Sequence, residues 1–305
     1  MKGFVEHLIA SSNKMERELS KDYDEKHFSE QKAILCVGIG ENTFPIISRL
    51  EDLGIRQTVF TNLLWESDSI TDSCEILAMN DYEVSAWNMD GQIKLPFISV
   101  FMIDFTEDAN IEKAIHFINE THMTFPYTNI VVMSIIPSKG NRTVAIEKCN
   151  KLSKVSDTIF VVDEKRISTK YPSSDDKTLH IKSLSFMASQ FKDFAEMILV
   201  TGNVNIDWYD IFNFVAKTET ECNKAIYFTS SGNNPEEILD TLKQEMSHYN
   251  LDNVIIDIIS SDDSLSCEAI KCIQTIDSFD FIWGIRKSQS LKKSVLKINV
   301  FAHKK

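Results

Sequence analysis

The stretch Ala33-Ile34-Leu35-Cys36-Val37, which runs directly into Gly38, decides the fold of this chain. A continuous apolar run of this length predicts a strand that is buried on both faces, as strands of parallel sheets are. Residues 43–53 then carry apolar side chains at helical spacing, and Gly54 supplies a stop signal. The sequence therefore begins its folded part with a buried strand followed at once by a helix.

The same alternation continues through the first 165 residues. Strands are predicted over residues 57–64, 97–103, 129–136 and 158–162, and helices over residues 109–119 and 144–154. Strands that alternate with helices form parallel sheets covered by helices on both faces. We therefore predict a doubly wound, Rossmann-like α/β domain, resembling nucleotide-binding domains, over residues 31–170.

Three further regions flank this domain. Residues 1–30 predict an amphipathic helical extension, which either docks on the main body or binds a partner. Residues 171–201 contain a polar connector and a long central helix, predicted over roughly residues 186–200. Residues 202–305 predict a smaller four-stranded α+β domain. Its strands are expected at 224–229, 253–259, 279–285 and 295–302, and its helices at 235–248 and 265–276.

Composition narrows the classes of function. A formal net charge of −13 disfavours nucleic acid as a partner, because phosphate binding relies on a basic surface. Only nine of the 305 residues are glycine, and backbone cradles for triphosphates normally need clustered glycines. The six cysteines form no CxxC pair, and residues 4–10 are too short for a secretory core or a membrane span. We expect reduced thiols, no direct membrane segment and a cytoplasmic location.

Gly38-Ile39-Gly40 lies where the first strand turns into a helix, and backbone N–H groups at such a place can receive a phosphate. Thr43 stands where a dinucleotide fingerprint would have its third glycine. The alternative is a tight strand-to-helix turn that needs no ligand.

Asn205-Ile206-Asp207-Trp208-Tyr209-Asp210 follows the central helix and reads as a short polar loop. It brings together two carboxylates and an amide, a set that can polarise a water molecule for hydrolysis. The alternative is an ordinary Asx loop, in which short polar side chains satisfy the backbone of their own turn.

The order of these elements resembles the tubulin/FtsZ superfamily over residues 31–305. The likeness is carried by residues 33–53, the turn Pro137-Ser138-Lys139-Gly140-Asn141-Arg142, and residues 157–162, 202–210, 255–276 and 281–302. In that family the acidic loop enters the nucleotide site of the neighbouring subunit, so that hydrolysis depends on polymerisation. The resemblance implies that Asp207 and Asp210 act in trans as catalytic acids, while Asn205 positions the loop.

The chain departs from the family where the phosphates should lie. The family's glycine-threonine hairpin is replaced by Asp104-Phe105-Thr106-Glu107-Asp108, and no glycine occurs between residues 92 and 139. Like charges about 4 Å apart repel by about 4 kcal/mol at an effective dielectric constant of about 20. We read the segment as a degenerate phosphate loop, in which Thr106 caps the following helix and Glu107 and Asp108 suit its positive end.

Little of a nucleotide site then remains. Gly38, Gly40 and Arg142 are its vestigial members, and Arg142 is either a phosphate contact or a solvated surface charge. The carboxylates Asp104, Glu107 and Asp108 match no calcium loop, so we expect no metal site.

We favour a divergent FtsZ-like cytoskeletal protein that does not hydrolyse nucleotide, a pseudo-GTPase without a cofactor. It would act by contacts with itself or a related FtsZ-like protein, as a structural component or regulator of a filament in cell division or cell shape. The first alternative is an active, polymerising GTPase that binds GTP or GDP in an altered site. A redox or sugar-nucleotide enzyme using Gly38 and Gly40 is the second, and the lack of a recognisable nucleophile–base set opposes it.

Overall fold

The computed structural model describes residues 33–55, 57–67, 69–70, 83–84, 93–94, 96–106, 109–200, 202–216, 221–274, 280–288, 291–292 and 294–305. The helical extension predicted for residues 1–30, and the predicted site residues Glu107 and Asp108, lie outside these ranges. The described residues form two compact units. The N-terminal unit comprises residues 33–195 with Val215–Asn223, and the C-terminal unit comprises Glu196–Phe214 with Lys224–Lys305.

The N-terminal unit is built on a parallel sheet, whose strands are β1 (Ile34–Ile39), β2 (Thr58–Leu63), β5 (Ile98–Asp104), β6 (Asn129–Ile136) and β7 (Thr158–Asp163). They lie side by side in the order β7-β6-β5-β1-β2. Two short strands, β3 (Glu83–Val84) and β4 (Ile93–Lys94), pair with each other. The chain proceeds outward from β1 to β2 and then in the opposite direction through β5, β6 and β7. The topological switch point therefore lies between β1 and β5.

Helices cover both faces of this sheet. They are α1 (Phe44–Asp52), which follows a 3₁₀ turn (Glu41–Thr43), α2 (Ile111–Thr124), α3 (Arg142–Leu152), α4 (Glu164–Lys170) and the central helix α5 (Asp176–Leu199). On one face, Leu35 and Val37 of β1 belong to the same apolar core as Phe117 of α2 and Leu152 of α3.

The central helix packs on the opposite face of the sheet. The ring of Phe191 lies 6.0 Å from that of Phe60 in β2, and Phe194 lies 6.2 Å from Phe160 in β7. These contacts, with α2 and α3 on the other side, confirm the predicted doubly wound α/β architecture.

The elements of the C-terminal unit include β8 (Asn223–Gly232), α7 (Pro235–Met246), β9 (Leu251–Ser260), α8 (Asp263–Ile273), β10 (Phe281–Lys287) and β11 (Leu296–Lys304). Its four strands lie in the order β10-β9-β11-β8. Strands β9 and β10 are parallel, whereas β11 runs antiparallel to both β9 and β8. A core formed by the strands with α7 and α8 confirms the predicted four-stranded α+β class.

Three helical segments differ from the prediction. The central helix begins at Asp176, well before the predicted residue 186, because Asp175 accepts a hydrogen bond from the backbone N–H of Thr178 and starts the helix. The helix α4 was not predicted, and Asp163 caps it by accepting from the N–H of Lys165. A further helix, α6 (Trp208–Val215), begins inside the predicted polar loop. The first turns of the central helix and α4 are polar, so apolar periodicity did not reveal them.

A buried ion pair lies within the C-terminal unit. The Arg286 side chain is 5% exposed, and its Nε donates to Asp257 Oδ1 at 3.0 Å while its Nη1 donates to Glu196 Oε2 at 2.6 Å. Asn299 Nδ2 donates to Asp257 Oδ2 at 3.0 Å. Both ions have several partners, as burial of charge requires.

Replacing Arg286 with methionine should lower the free energy of unfolding by about 3 kcal/mol, because Asp257 would stay buried without its cationic partner. Lys287→Met removes the neighbouring cation, whose side chain is exposed, and should change stability by less than about 0.5 kcal/mol. Urea unfolding followed by circular dichroism measures both variants. Equal losses would contradict the role assigned to Arg286.

Candidate functional site

The carboxyl ends of β5, β6 and β7 meet at one edge of the N-terminal sheet, the edge at which ligands bind in open α/β sheets. A cleft of about 310 Å³ opens there. Its lining comes from the segments that follow these strands and from the first turns of the central helix: Thr106, Pro137, Ser138, Lys139, Gly140, Glu164, Asp176 and His180. This volume is at the lower end of the range for small-molecule sites.

Asp104, the last residue of β5, has a fully buried side chain. Its Oδ1 accepts hydrogen bonds from the N–H of Thr106 at 2.9 Å and from Thr106 Oγ1 at 2.7 Å. Its Oδ2 accepts from Asn42 Nδ2 at 2.7 Å and lies 3.2 Å from His180 Nε2. A buried carboxylate is costly unless such donors surround it, and here they do.

His180 lies between two carboxylates. Its Nε2 faces Asp104, and its Nδ1 lies 3.1 Å from Glu164 Oε1. Hydrogen bonds to Asp104 and then to Glu164 raise the pKa of His180 to about 9, against the opposing effect of burial. The ring is therefore an imidazolium at neutral pH, and both of its nitrogens donate.

The pKa of Asp104 shifts the other way. Burial alone would raise this pKa, but hydrogen bonds from His180 and Thr106 outweigh burial and hold it below its usual value. Glu164 completes the chain of contacts, because its Oε2 accepts from the backbone N–H of Ser138 at 3.1 Å. Asn42, Asp104, His180, Glu164 and Ser138 thus form one continuous polar chain across the strand ends.

The prediction that Thr106 caps the next helix is wrong. Its hydroxyl and backbone N–H both donate to Asp104, and Asn110 is the N-cap of α2, where its side chain accepts from the N–H of Lys113 at 3.2 Å. A carboxylate two residues away, at the end of β5, competes for the Thr106 hydroxyl.

Gly38 and Gly40 are both explained by the turn itself. A Cβ at Gly38 would lie 2.6 Å from Ile47 Cγ1 and 2.8 Å from Thr43 Oγ1. Gly40 has a φ of 88°, which side chains rarely permit, and its N–H donates to Leu63 O at 2.9 Å. The tight-turn alternative accounts for both glycines without a ligand.

Arg142 is engaged by neighbouring groups. Its Nη1 and Nη2 donate to the two oxygens of Asp163 at 2.7 and 2.6 Å, and Nη1 also donates to Pro137 O at 3.0 Å. Its hydrogen bonds with Asp163 raise the pKa of the guanidinium. The vestigial phosphate contact predicted at Arg142 therefore coincides with a bidentate ion pair inside the chain.

The predicted acidic loop lies in the C-terminal unit. Asn205 Oδ1 accepts from the N–H of Gly202 at 2.6 Å, and Asp207 Oδ1 accepts from the N–H of Tyr209 at 2.7 Å. Asp207 thereby caps α6, so Asp210 belongs to the first turn of a helix rather than to a loop. These local bonds are those of the Asx alternative, yet Asp207 remains exposed and Asp210 half-buried.

A short bridge holds the backbone of this segment. Val204 and Ile285 of β10 exchange backbone hydrogen bonds of 3.2 and 2.8 Å. The backbones approach so closely that a Cβ at Gly202 would lie 2.1 Å from Ile285 O. Backbone contacts thus hold this segment in place, in addition to the hydrogen bonds that Asn205 and Asp207 accept.

Sequence reasoning missed His180 and Glu164, the centre of the polar chain. The available signal was weak: His180 follows the buried Leu179 on the same helix, and its side chain faces inward on an otherwise polar first turn. Within the described ranges, no group of His, Cys, Asp and Glu side chains has the arrangement of a metal site. Among those same residues, no helix is both long and apolar enough to cross a membrane.

No protein-family model and no curated protein sequence matches the chain. Solved structures do match over nearly its whole length. The empty FtsZ dimer of M. jannaschii gives a TM-score of 0.71 at 13% identity, covering 95% of this chain and 92% of that one. The chain has the FtsZ fold. A point mutant of M. jannaschii FtsZ gives 0.69 at 13% identity, covering 95% of both chains.

CetZ from Methanosaeta thermophila is also similar, with a TM-score of 0.59 at 12% identity over 90% of this chain and 87% of that one. The resemblance inferred from element order and short motifs is therefore confirmed at the level of the FtsZ fold. These matches show the FtsZ fold and not the fold of another α/β class.

We expect the free energy of unfolding of this chain to fall at alkaline pH, because the stabilising contribution of His180 is lost there. Folding raises the His180 pKa from 6.5 to about 9, so its contribution is fully present below pH 6.5 and is lost as the pH rises through about 9. Urea unfolding should show a loss of up to about 3 kcal/mol across this window.

His180→Gln cannot titrate and should remove this pH-dependent loss. His116→Gln replaces an exposed histidine of the same unit and should keep the wild-type profile. A His180→Gln profile that runs parallel to wild type would show that the imidazolium does not stabilise the fold.

Proposed function

We propose that this chain is an FtsZ-like cytoskeletal protein that acts through protein contacts and does not hydrolyse nucleotide. It serves as a structural component or regulator of a filament built from itself or from a related FtsZ-like protein, in cell division or cell shape. The similarity in fold to FtsZ and CetZ supports the cytoskeletal class.

The buried carboxylate of Asp104 carries the non-hydrolysing part of the proposal. It lies at the switch point, where phosphates are received in open α/β sheets. A phosphate entering there would meet the fixed negative charge of the Asp104 carboxylate. Two unit negative charges about 4 Å apart repel by about 4 kcal/mol at an effective dielectric constant of about 20.

Other phosphate-binding groups of this edge are also engaged. The N–H of Gly40 donates to Leu63 O, and both Nη atoms of Arg142 donate to Asp163. Lys139 Nζ pairs with Asp176 at 2.8 Å, although both side chains are 76% exposed and the pair is weak. A triphosphate could bind these donors only if several of these hydrogen bonds and ion pairs were broken.

The loop around Asp207 supports a role in protein contacts. Beside its carboxylates, α6 exposes 69% of Tyr209 and 38% of Phe212. Exposed aromatic side chains next to charged ones are typical of protein interfaces. We propose that Asp207 and Asp210, with Asn205 shaping the loop, complete the nucleotide site of an FtsZ-like partner. The FtsZ dimer among the structural matches is a precedent for pairing by this fold.

An active GTPase that binds GTP or GDP is the second candidate. It is favoured by the cleft of about 310 Å³ at the strand ends and by the two carboxylates that the acidic segment retains. Under this alternative the nucleotide would bind beside Asp104 rather than in its place.

Incubation with GTP and magnesium separates the two candidates. The proposed function predicts no saturable binding at micromolar GTP and no turnover above about 0.01 per second, whereas typical enzymes reach about 10 per second. Isothermal titration and phosphate release measure both quantities, with an established GTPase as positive control. Micromolar binding or measurable turnover would favour the GTPase.

The role in trans is tested by replacing Asp207 and Asp210 with asparagine. Asparagine also caps helices, so stability should change by less than about 0.5 kcal/mol. Stimulation of GTP hydrolysis by an FtsZ-like partner, measured in mixtures, should fall by at least about tenfold.

Glu236→Gln with Asp240→Asn is the matched control, because it removes two exposed carboxylates from α7 of the same unit. This control should stimulate the partner as wild type does. Equal stimulation by the Asp207/Asp210 variant and the control would refute catalysis in trans.

A further inference from the structure

We propose that Asp104 is a built-in anion: its carboxylate fills an anion site formed by Asn42, Thr106 and His180, and keeps inorganic phosphate out of it. This inference rests on the proposed function, and it identifies the contact within the chain that closes the anion site.

The donors around Asp104 come from three separate segments. Asn42 lies in the 3₁₀ turn after β1, Thr106 follows β5, and His180 belongs to the central helix. They supply an amide N–H, a backbone N–H, a hydroxyl and an imidazolium, all within 3.2 Å of one carboxylate. Phosphate sites in proteins are formed by donors of these kinds, which converge from different segments.

The anion site is continuous with the cleft. Thr106 and His180 both line the cleft and both contact Asp104. Removing the Asp104 side chain would therefore leave a space that opens toward solvent through the cleft, with its donors still in place. A phosphate could enter by that route.

Tethering explains why the internal anion prevails. A group held in the same chain competes at an effective concentration of millimolar or more, and it loses no translational freedom on binding. Free phosphate has to displace it and also expose or neutralise a carboxylate that is buried. The wild-type chain should therefore show no saturable binding of phosphate at millimolar concentration.

The charges nearby are compatible with this exchange. His180 keeps its contact with Glu164 after Asp104 is removed, and Lys139 keeps its pair with Asp176. The Nε2–H of the imidazolium would then have lost the carboxylate of Asp104 as its acceptor. An incoming anion could replace that carboxylate, so an anion would be favoured over a neutral ligand.

Asp104→Ala is the direct test, with inorganic phosphate as the probe and chloride at equal ionic strength as the reference. Thermal unfolding and phosphorus NMR should show saturable phosphate binding at least tenfold tighter than in wild type. Asp240→Ala, which removes an exposed carboxylate elsewhere, should behave as wild type, and adding His180→Gln to Asp104→Ala should abolish the gain. Asp104→Ala that binds phosphate no better than Asp240→Ala would overturn the proposal.

Two further measurements apply if Asp104→Ala does not fold. Asp104→Ser removes the carboxylate and part of the side-chain volume, which frees the donors of Asn42 and His180, so it should bind phosphate more tightly than wild type. In the wild-type chain, the ring ¹⁵N signals of His180 should not respond to phosphate. An unchanged affinity in Asp104→Ser, or a saturable phosphate response of His180 in wild type, would refute the built-in anion.

The two proposals fail in different ways. If the wild-type chain neither binds nor hydrolyses GTP, and Asp104→Ala does not bind phosphate, the built-in anion is refuted and the proposed function stands. GTP binding by wild type, together with phosphate binding by Asp104→Ala, would refute the proposed function and leave the anion site standing.

Discussion

A carboxylate can stay charged in a protein interior only where donors replace the water it has lost, and the end of β5 meets this condition at Asp104. Asn42, Thr106 and His180 supply the donors, and each belongs to a different segment. The same contacts therefore join the turn after β1, the segment after β5 and the start of the central helix. Hydrogen bonds from His180 to this buried ion and to Glu164 also raise the pKa of His180.

The two units use buried ions in different ways. In the C-terminal unit, Asp257 and Arg286 are both buried, and Asn299 donates to Asp257. In the N-terminal unit, the Asp104–His180 pair lies at a sheet edge that elsewhere serves ligands. The first pair lies in the interior of its unit, and in our proposal the second closes a binding surface.

Sequence patterns were sufficient where burial was continuous. The strand predicted over residues 129–136 matches β6 because eight consecutive residues are buried between turn residues. The FtsZ fold also followed from the order of the elements. The polar first turns of α4 and the central helix escaped, since their caps, Asp163 and Asp175, act through single hydrogen bonds that apolar periodicity does not register. His180 escaped because its partners lie on other elements, and only folding brings such residues together.

The bridge between Val204 and Ile285 has a consequence for how this chain can diverge. Gly202 and Gly284 leave no room for larger residues, since a Cβ on Gly284 would lie 2.7 Å from Ile206 Cγ1. The course of the main chain through this segment therefore depends on small residues and backbone pairing, to which the side chains of Asn205 and Asp207 add hydrogen bonds from the N–H groups of Gly202 and Tyr209. At Asn205 and Asp207 a structural constraint therefore operates beside any selection for activity, because each side chain accepts a hydrogen bond from the backbone of its own segment.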